Sequence, residues 1–247
     1  MSQLTDSSVS AGARRPRPRS RTKKDVVTEF RHAAILEAAR GVFAAAGFAE
    51  ASVDEIARAA GVAKGTVYLY YPSKEAIYKA AVRQGLEALV EELQRRVGAA
   101  PNVRERIRAF VETKVAYFDR NRDFFKIYLA AFSDLSTPRS CPEEMKSLYR
   151  GQLDILEGVF RAAAARERTR GAAAARERTR GAAAARERTR GAAAARIRRG
   201  RPADAALAVF DLTRGVVTRR LLAPSRPRTN NDVELLLDLI WKGLAGR

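Results

Sequence analysis

Apolar residues recur along this chain at intervals of three and four, the repeat of one helix face, and no stretch alternates apolar with polar positions long enough to make a strand. The first helix is predicted over 28–46, where Ile35, Ala38, Ala39 and Val42 form a stripe flanked by Leu36 and Phe43, and Gly47 ends it. Ser52 and Glu55 then have the spacing of a capping box, in which the hydroxyl and the carboxylate each satisfy an open backbone N–H group, so a short helix starts at Val53. Ile56, Ala57 and Ala60 give it one apolar face, and Gly61 stops it. After a turn begun by Val62, Val67 and Tyr71 stand four residues apart and can point back at Ile56 and Ala60. Lys64, Gly65, Thr66, Tyr68, Leu69 and Tyr70 are left facing outward. Pro72 ends this helix, and Ser73 caps a longer one that extends to about Val97. Ile77, Ala80 and Ala81 of that rod face the preceding helices; Leu86, Leu89, Val90, Leu93 and Val97 face the helices C-terminal to it.

The same periodicity continues. Asn102 and Glu105 repeat the cap spacing ahead of a fifth helix marked by Ile107, Phe110, Val111, Lys114, Val115 and Phe118. A sixth helix runs over about 122–135, through Phe124, Phe125, Tyr128, Leu129 and Phe132. Pro138 and Pro142 bracket a loop, and a seventh helix starts near Glu143. An eighth is predicted from Pro202, with Ala206, Phe210, Val217 and Leu221 as its stripe, and a ninth carries Val233, Leu236, Leu237, Ile240, Trp241 and Leu244. The apolar faces of these last two helices are wider than one packing surface needs. They can form a four-helix contact about a two-fold axis or be covered within one subunit.

From Ala162 to Arg190 the chain repeats A-A-A-A-R-E-R-T-R with a glycine between copies, a period of ten that degenerates after Gly191. Ten residues at about 100° each fall about 80° short of three turns, so successive alanine patches rotate around a helix and form no continuous seam. A solvated helical extension frayed at its glycines is expected, inserted at about 162–200. The three E-R-T-R units, each with the arginine before it, contribute nine arginines and three glutamates, or +6 of the net charge of +19.

That charge comes from 47 Lys and Arg against 28 Asp and Glu, and it points to a polyanionic partner. Arg14, Arg15, Arg17, Arg19, Arg21, Lys23 and Lys24 are interleaved with Pro16 and Pro18 in the first 25 residues, a segment expected to be disordered in isolation. Such a tail either lies on phosphates or a minor groove, or serves only to keep the chain soluble. The single cysteine, Cys141, excludes an intrachain disulfide, and no apolar run approaches the roughly 20 residues needed to span a bilayer. No signal-peptide pattern is present at the N-terminus, so a reducing cytoplasm is the expected location. Catalytic signatures are missing: there is no G-x-S-x-G elbow, no phosphate-binding glycine loop and no metal-ligand cluster, and the one histidine, His32, is expected at the solvated surface. No catalytic residue, cofactor or metal site is therefore assigned.

The run A-G-V-A-K-G-T-V-Y-L-Y-Y-P-S-K-E, from Ala60 to Glu75, resembles the core of the TetR-family repressor DNA-binding domain. The resemblance implies an all-α homodimer. It would have an N-terminal three-helix DNA-binding domain with a helix-turn-helix (26–72, after the basic tail of 1–25) and a C-terminal helical ligand-binding and dimerisation domain (73–247). On matching positions it implies that Ser52 and Lys74 meet phosphates, that Lys64, Gly65 and Thr66 enter the major groove, and that Tyr68 and Tyr70 reach phosphates or base edges. Leu69 falls at a base-contact position, where it can touch a thymine methyl but donate no hydrogen bond. The aromatic residues of the middle region, Tyr117, Phe118, Phe125, Tyr128, Phe132 and Tyr149, become candidates to line an inducer cavity, plain core packing being the alternative. Phe210, Val217, Leu221, Val233, Leu237, Ile240 and Trp241 become candidates for the dimer interface. The expected partners are double-stranded operator DNA, an unidentified small-molecule inducer and a second copy of the chain, with no membrane. The expected activity is that of a ligand-responsive regulator, a repressor of a palindromic operator. A nonspecific basic architectural DNA-binding protein is the competing reading.

Overall fold

The computed structural model describes residues 23–133, 143–178, 201–222 and 231–245, and these are helical throughout apart from short connections. Among the described residues the helices are α1 (Lys23–Glu50), α2 (Val53–Ala59), α3 (Lys64–Tyr70), α4 (Lys74–Ala99), α5 (Val103–Arg120), α6 (Arg122–Ser133), α7 (Glu143–Arg178), α8 (Pro202–Leu222) and α9 (Asn231–Ala245). The basic tail of residues 1–22, the Pro138–Pro142 loop with Cys141, and the repeat units of residues 179–200 lie outside this description.

Helix α1 begins earlier than the sequence pattern suggests and is broken at Gly47, whose backbone (φ 78°, ψ 171°) a side-chain-bearing residue rarely adopts. Ile35, Ala39 and Phe43 of α1, Ile56 of α2, Val67 of α3 and Ile77 of α4 are buried and make the core of the N-terminal unit. Helix α4, about 39 Å long at 1.5 Å per residue, packs on α1 and runs on to pack against α5, α6 and α7. It joins the two halves of the molecule as one element. At Gly85 the missing side chain admits the Phe124 ring of α6, and the Tyr117 hydroxyl donates to the Gly85 carbonyl at 2.8 Å. Helix α6 also packs on α1, giving the C-terminal half a second contact with the N-terminal unit.

Helix α5 is central: it touches α4, α6, α7, α8 and α9. Arg220 of α8 reaches Asp119 of α5 at 2.5 Å and Asp232 of α9 at 3.4 Å, and Arg108 of α5 pairs with Glu234 of α9. Helix α7 runs through the first repeat unit. Ala163 and Ala164 are buried, but residues 168–173 are exposed, as expected of a solvated extension. The expected fraying at glycine does not occur at Gly171, which α7 crosses unbroken. A glycine costs a helix about 1 kcal/mol relative to alanine, and the arginines before it and the alanine run after it, all good helix formers, continue the hydrogen-bonded ladder through it.

Candidate nucleic-acid interface

The helix-turn-helix is assembled from local signals. Ser52 caps α2: its Oγ accepts from the Glu55 N–H at 3.2 Å, and the Glu55 carboxylate accepts from the Ser52 N–H at 2.9 Å. Ser52 Oγ also donates to Glu55 Oε2 at 2.8 Å, and these bonds hold the Glu55 carboxyl below its ordinary pKa. Gly61, with φ 66°, turns the chain after α2. Val67 is fully buried and Tyr71 nearly so, and together they fix the rotation of α3 about its axis.

With that rotation, Lys64, Gly65, Tyr68 and Leu69 are exposed, Tyr68 by 47% and Leu69 by 84%, while Thr66 and Tyr70 are half-buried. The polar side of α3 is thus open to a groove. Lys64 Nζ is 2.6 Å from Asp54 Oδ2 of α2, a contact between two half-exposed side chains that raises the lysine pKa chiefly through the hydrogen bond. Exposed pairs of this kind contribute little because water and salt screen them, so a phosphate can compete for the lysine.

One placement differs from the sequence-based expectations, and two others restrict the contacts those expectations named. His32 is not a free surface group: its Nδ1 shares a hydrogen bond with Tyr71 Oη at 2.9 Å, and its ring meets Tyr70 edge-on at 4.5 Å. It braces α1 against the end of α3, a contact across 39 positions that helical spacing does not reveal. Lys74 donates to the carbonyls of Ala49 and Ala51 at 2.8 and 3.0 Å and lies over the Phe48 ring. It ties the end of α1 to the start of α4, leaving one N–H for a phosphate. Ser52 has both its donors on Glu55, so a phosphate contact from either of them requires the capping box to open.

The expected ligand-lining residues do not share one space. Tyr117, Phe118, Phe125 and Tyr128 are buried and pack with Phe124 in one cluster of rings 4.5–6.1 Å apart. Tyr149 stands apart, edge-on to Phe210 at 4.8 Å, and the surroundings of the Phe132 side chain lie outside the described residues. Burial raises the Tyr117 hydroxyl to a pKa of about 12. Of the expected interface residues, Phe210, Val217, Val233 and Ile240 are covered inside the subunit, because α5 and α7 pack onto α8, and α5 and α8 pack onto α9. Leu221, Leu237 and Trp241 are half-buried, and the Arg104 guanidinium covers the Trp241 ring. Among the described residues, the large apolar side chains of these two helices left facing outward are Leu207, Leu212 and Leu222 on α8 and Leu235 and Leu239 on α9. Beside them, Asp211, Arg214, Gly215, Thr218, Arg219 and Leu222 line an open depression of about 490 Å³. Among the described residues no group of three or more His, Cys, Asp or Glu could hold a metal ion, and no helix is long and apolar enough to cross a membrane.

Comparison with known proteins bears on the same elements. Residues 35–81 match the domain described as bacterial regulatory proteins, tetR family, which covers α2, α3 and the flanking parts of α1 and α4. The chain is 33% identical over 119 residues to the transcriptional activator FasR of Mycolicibacterium smegmatis, covering 48% of this chain and 53% of that protein. It is 26% identical over 128 residues to the fatty acid metabolism regulator protein of Bacillus subtilis, covering 51% of this chain and 63% of that protein. The chain thus spans about half to two thirds of the length of these curated relatives. The fold is similar over a greater length. The fatty acid degradation regulator FadR of Bacillus halodurans superposes with a TM-score of 0.67 at 19% identity, covering 88% of this chain and 97% of that one. FadR of Bacillus subtilis, solved in complex with stearoyl-CoA, superposes with a TM-score of 0.56 at 20% identity, covering 87% and 98%. Residues 35–81 thus carry the DNA-binding domain of the tetR family of bacterial regulatory proteins, with α3 exposed on a buried base, and the chain as a whole shares the all-helical fold of solved regulators.

Proposed function

We propose that this chain is a cytoplasmic, ligand-responsive repressor that binds a palindromic operator as a homodimer and is released by a small-molecule inducer. The observation that carries the reading is the outward face of α3: Lys64, Thr66, Tyr68 and Leu69 stand on a helix whose rotation Val67 and Tyr71 fix. Gly65 lets the first turn of that helix approach a phosphate or base closely, and Tyr70, Ser52 and Lys74 flank it. Phosphate contacts set register and affinity, and the α3 side chains read bases. In this reading residues 26–72 are the DNA-binding unit and 73–247 the regulatory and dimerisation unit. Two copies would meet through the outward leucines of α8 and α9, holding two α3 helices at the spacing of successive major-groove faces. A ligand that favours one subunit arrangement shifts the operator affinity by its difference in affinity between arrangements, and α4 carries the change to the DNA-binding unit. The stearoyl-CoA complex of a similarly folded regulator makes apolar compounds the first inducers to test.

The test is a footprint and a mobility-shift titration on the DNA flanking the gene, at stated salt. Protection confined to one short symmetric site is expected, with Tyr68→Ala and Lys64→Ala each weakening binding at least tenfold, about 1.4 kcal/mol, while leaving the oligomeric state unchanged. Protection spread along the duplex would favour the architectural reading instead. Undiminished binding by both variants would remove α3 from the interface.

A further inference from the structure

Where α5, α7 and α8 pack on one another, the protein buries polar groups that it does not satisfy. Lys114 of α5 is 1% exposed, and its Nζ has no hydrogen-bond partner; it sits 3.4 Å from the centroid of the Phe210 ring and 5.7 Å from that of Phe110. Gln152 of α7 is fully buried, with neither Oε1 nor Nε2 paired, and the Thr113 hydroxyl, 1% exposed, is likewise unpaired. Phe210 links the group: Lys114 covers its face, Tyr149 meets its edge, and Gln152 follows Tyr149 by three residues on the inward face of α7.

Taking an ammonium out of water costs more, even after relaxation, than contact with an aromatic face returns. Burial, reinforced by the Arg214 cation, accordingly holds the Lys114 pKa well below its ordinary value. Each unpaired amide or hydroxyl group adds a desolvation cost that nothing repays. Leucine or methionine would fill such positions at lower cost, so Lys114 and Gln152, tied to Phe210 directly and through Tyr149, mark a place where something else completes the hydrogen bonds. Lysine contributes three donors and no acceptor, and the glutamine amide adds two donors, so the missing group is rich in acceptors. Its charge is limited to one. Lys114 is the single buried cation of the cluster, and Arg214 and Asp211 neutralise each other at 3.0 Å. Phe110, Phe210 and Leu156 belong to the buried apolar core, and Tyr149 packs against it.

We propose that Lys114 and Gln152 anchor the carboxylate of an apolar monocarboxylate bound at the α5–α7–α8 junction. The inference rests on the reading of the protein as an inducer-responsive regulator and names the chemistry of that inducer.

The test uses the full chain and calorimetric titration at one fixed pH with hexanoate, decanoate and 3-phenylpropionate, each beside the alcohol of the same skeleton. At least one acid is expected to bind at least tenfold more tightly than its alcohol. Lys114→Met is expected to remove that preference while its thermal midpoint stays at or above that of the parent, and Gln152→Leu to reduce the preference independently. If no acid outbinds its alcohol, or if Lys114→Met retains the preference, the anchor is refuted. Operator binding measured in parallel separates the two readings. Lys114-dependent carboxylate binding without operator release would keep the anchor and refute its role as the inducer site. A different compound that releases the operator equally from parent and Lys114→Met would keep the regulator reading and refute the anchor.

Discussion

A β-carbon at Gly85 is the sharpest available test of the contact between the long helix α4 and the ring cluster behind it. An added methyl group would lie 2.2 Å from Phe124 Cε2 and 2.4 Å from Cδ2, where carbon atoms ordinarily approach to about 3.5–4.0 Å. The ring would have to retreat by more than 1 Å, roughly the shortfall from normal contact. It has little room, since Phe124 is nearly fully buried and packs against Tyr117, Phe118 and Tyr128. Overpacking of this kind costs up to about 3 kcal/mol, offset by about 1 kcal/mol from replacing glycine with alanine inside a helix. Gly85→Ala should therefore destabilise the protein by about 2 kcal/mol. At roughly 2–4 °C per kcal/mol for a chain of this size, the melting midpoint should fall by about 4–8 °C. The control is Gly151→Ala on α7, where the new methyl would meet only Val90 at 3.9 and 4.0 Å, an ordinary contact, so the helix gain of up to about 1 kcal/mol should appear unopposed. Calorimetry on both variants decides the matter. A Gly85→Ala midpoint equal to or above the parent would show that the ring cluster yields freely and that α4 is not locked to α6 there.

Three further outcomes are expected. Ser52→Ala removes the α2 cap and should cost about 1 kcal/mol, readable as a lower denaturation midpoint. The Tyr117 hydroxyl ionises at about 12, above the ordinary tyrosine value, because burial disfavours its charged form. Its contribution to stability is therefore present below about pH 10 and lost as the pH rises through the folded-state value near 12, so alkaline melting curves of Tyr117→Phe should lack that component of the decline. Leu239→Arg puts a charge on the outward face of α9 and should convert a dimer to a monomer in sedimentation without lowering helix content; a persisting dimer would place the subunit contact elsewhere.

The helix-turn-helix was legible because its signals are local. Ser52 and Glu55 cap within one turn, Gly61 turns the chain where a left-handed residue is needed, and Val67 and Tyr71 repeat at helical spacing, so short-range rules settle which residues α3 turns outward. The resemblance carried by the segment from Ala60 to Glu75 rests on the same local order. The stripes of α4, α5, α8 and α9 were legible as stripes too, but a stripe says only that a face is covered, not by what. Packing of α5 and α7 on α8, and of α5 and α8 on α9, decided that Phe210, Val217, Val233 and Ile240 lie inside the subunit and that Leu235 and Leu239 face outward.

Lys114 shows the limit most clearly. Its place on the apolar stripe of α5 was visible, but long side chains at such positions can reach back to water, and only the crossing of α7 and α8 seals this one beneath Phe210. The brace from His32 to Tyr71 and the two carbonyls held by Lys74 have the same origin, joining residues 39, 25 and 23 positions apart. Periodicity and capping depend on neighbours within about two helical turns, and from them the chain alone determined most of its helices and the exposed side of α3. Which polar groups are buried, braced or left unpaired depends on where distant helices cross, and the tertiary structure alone decided that.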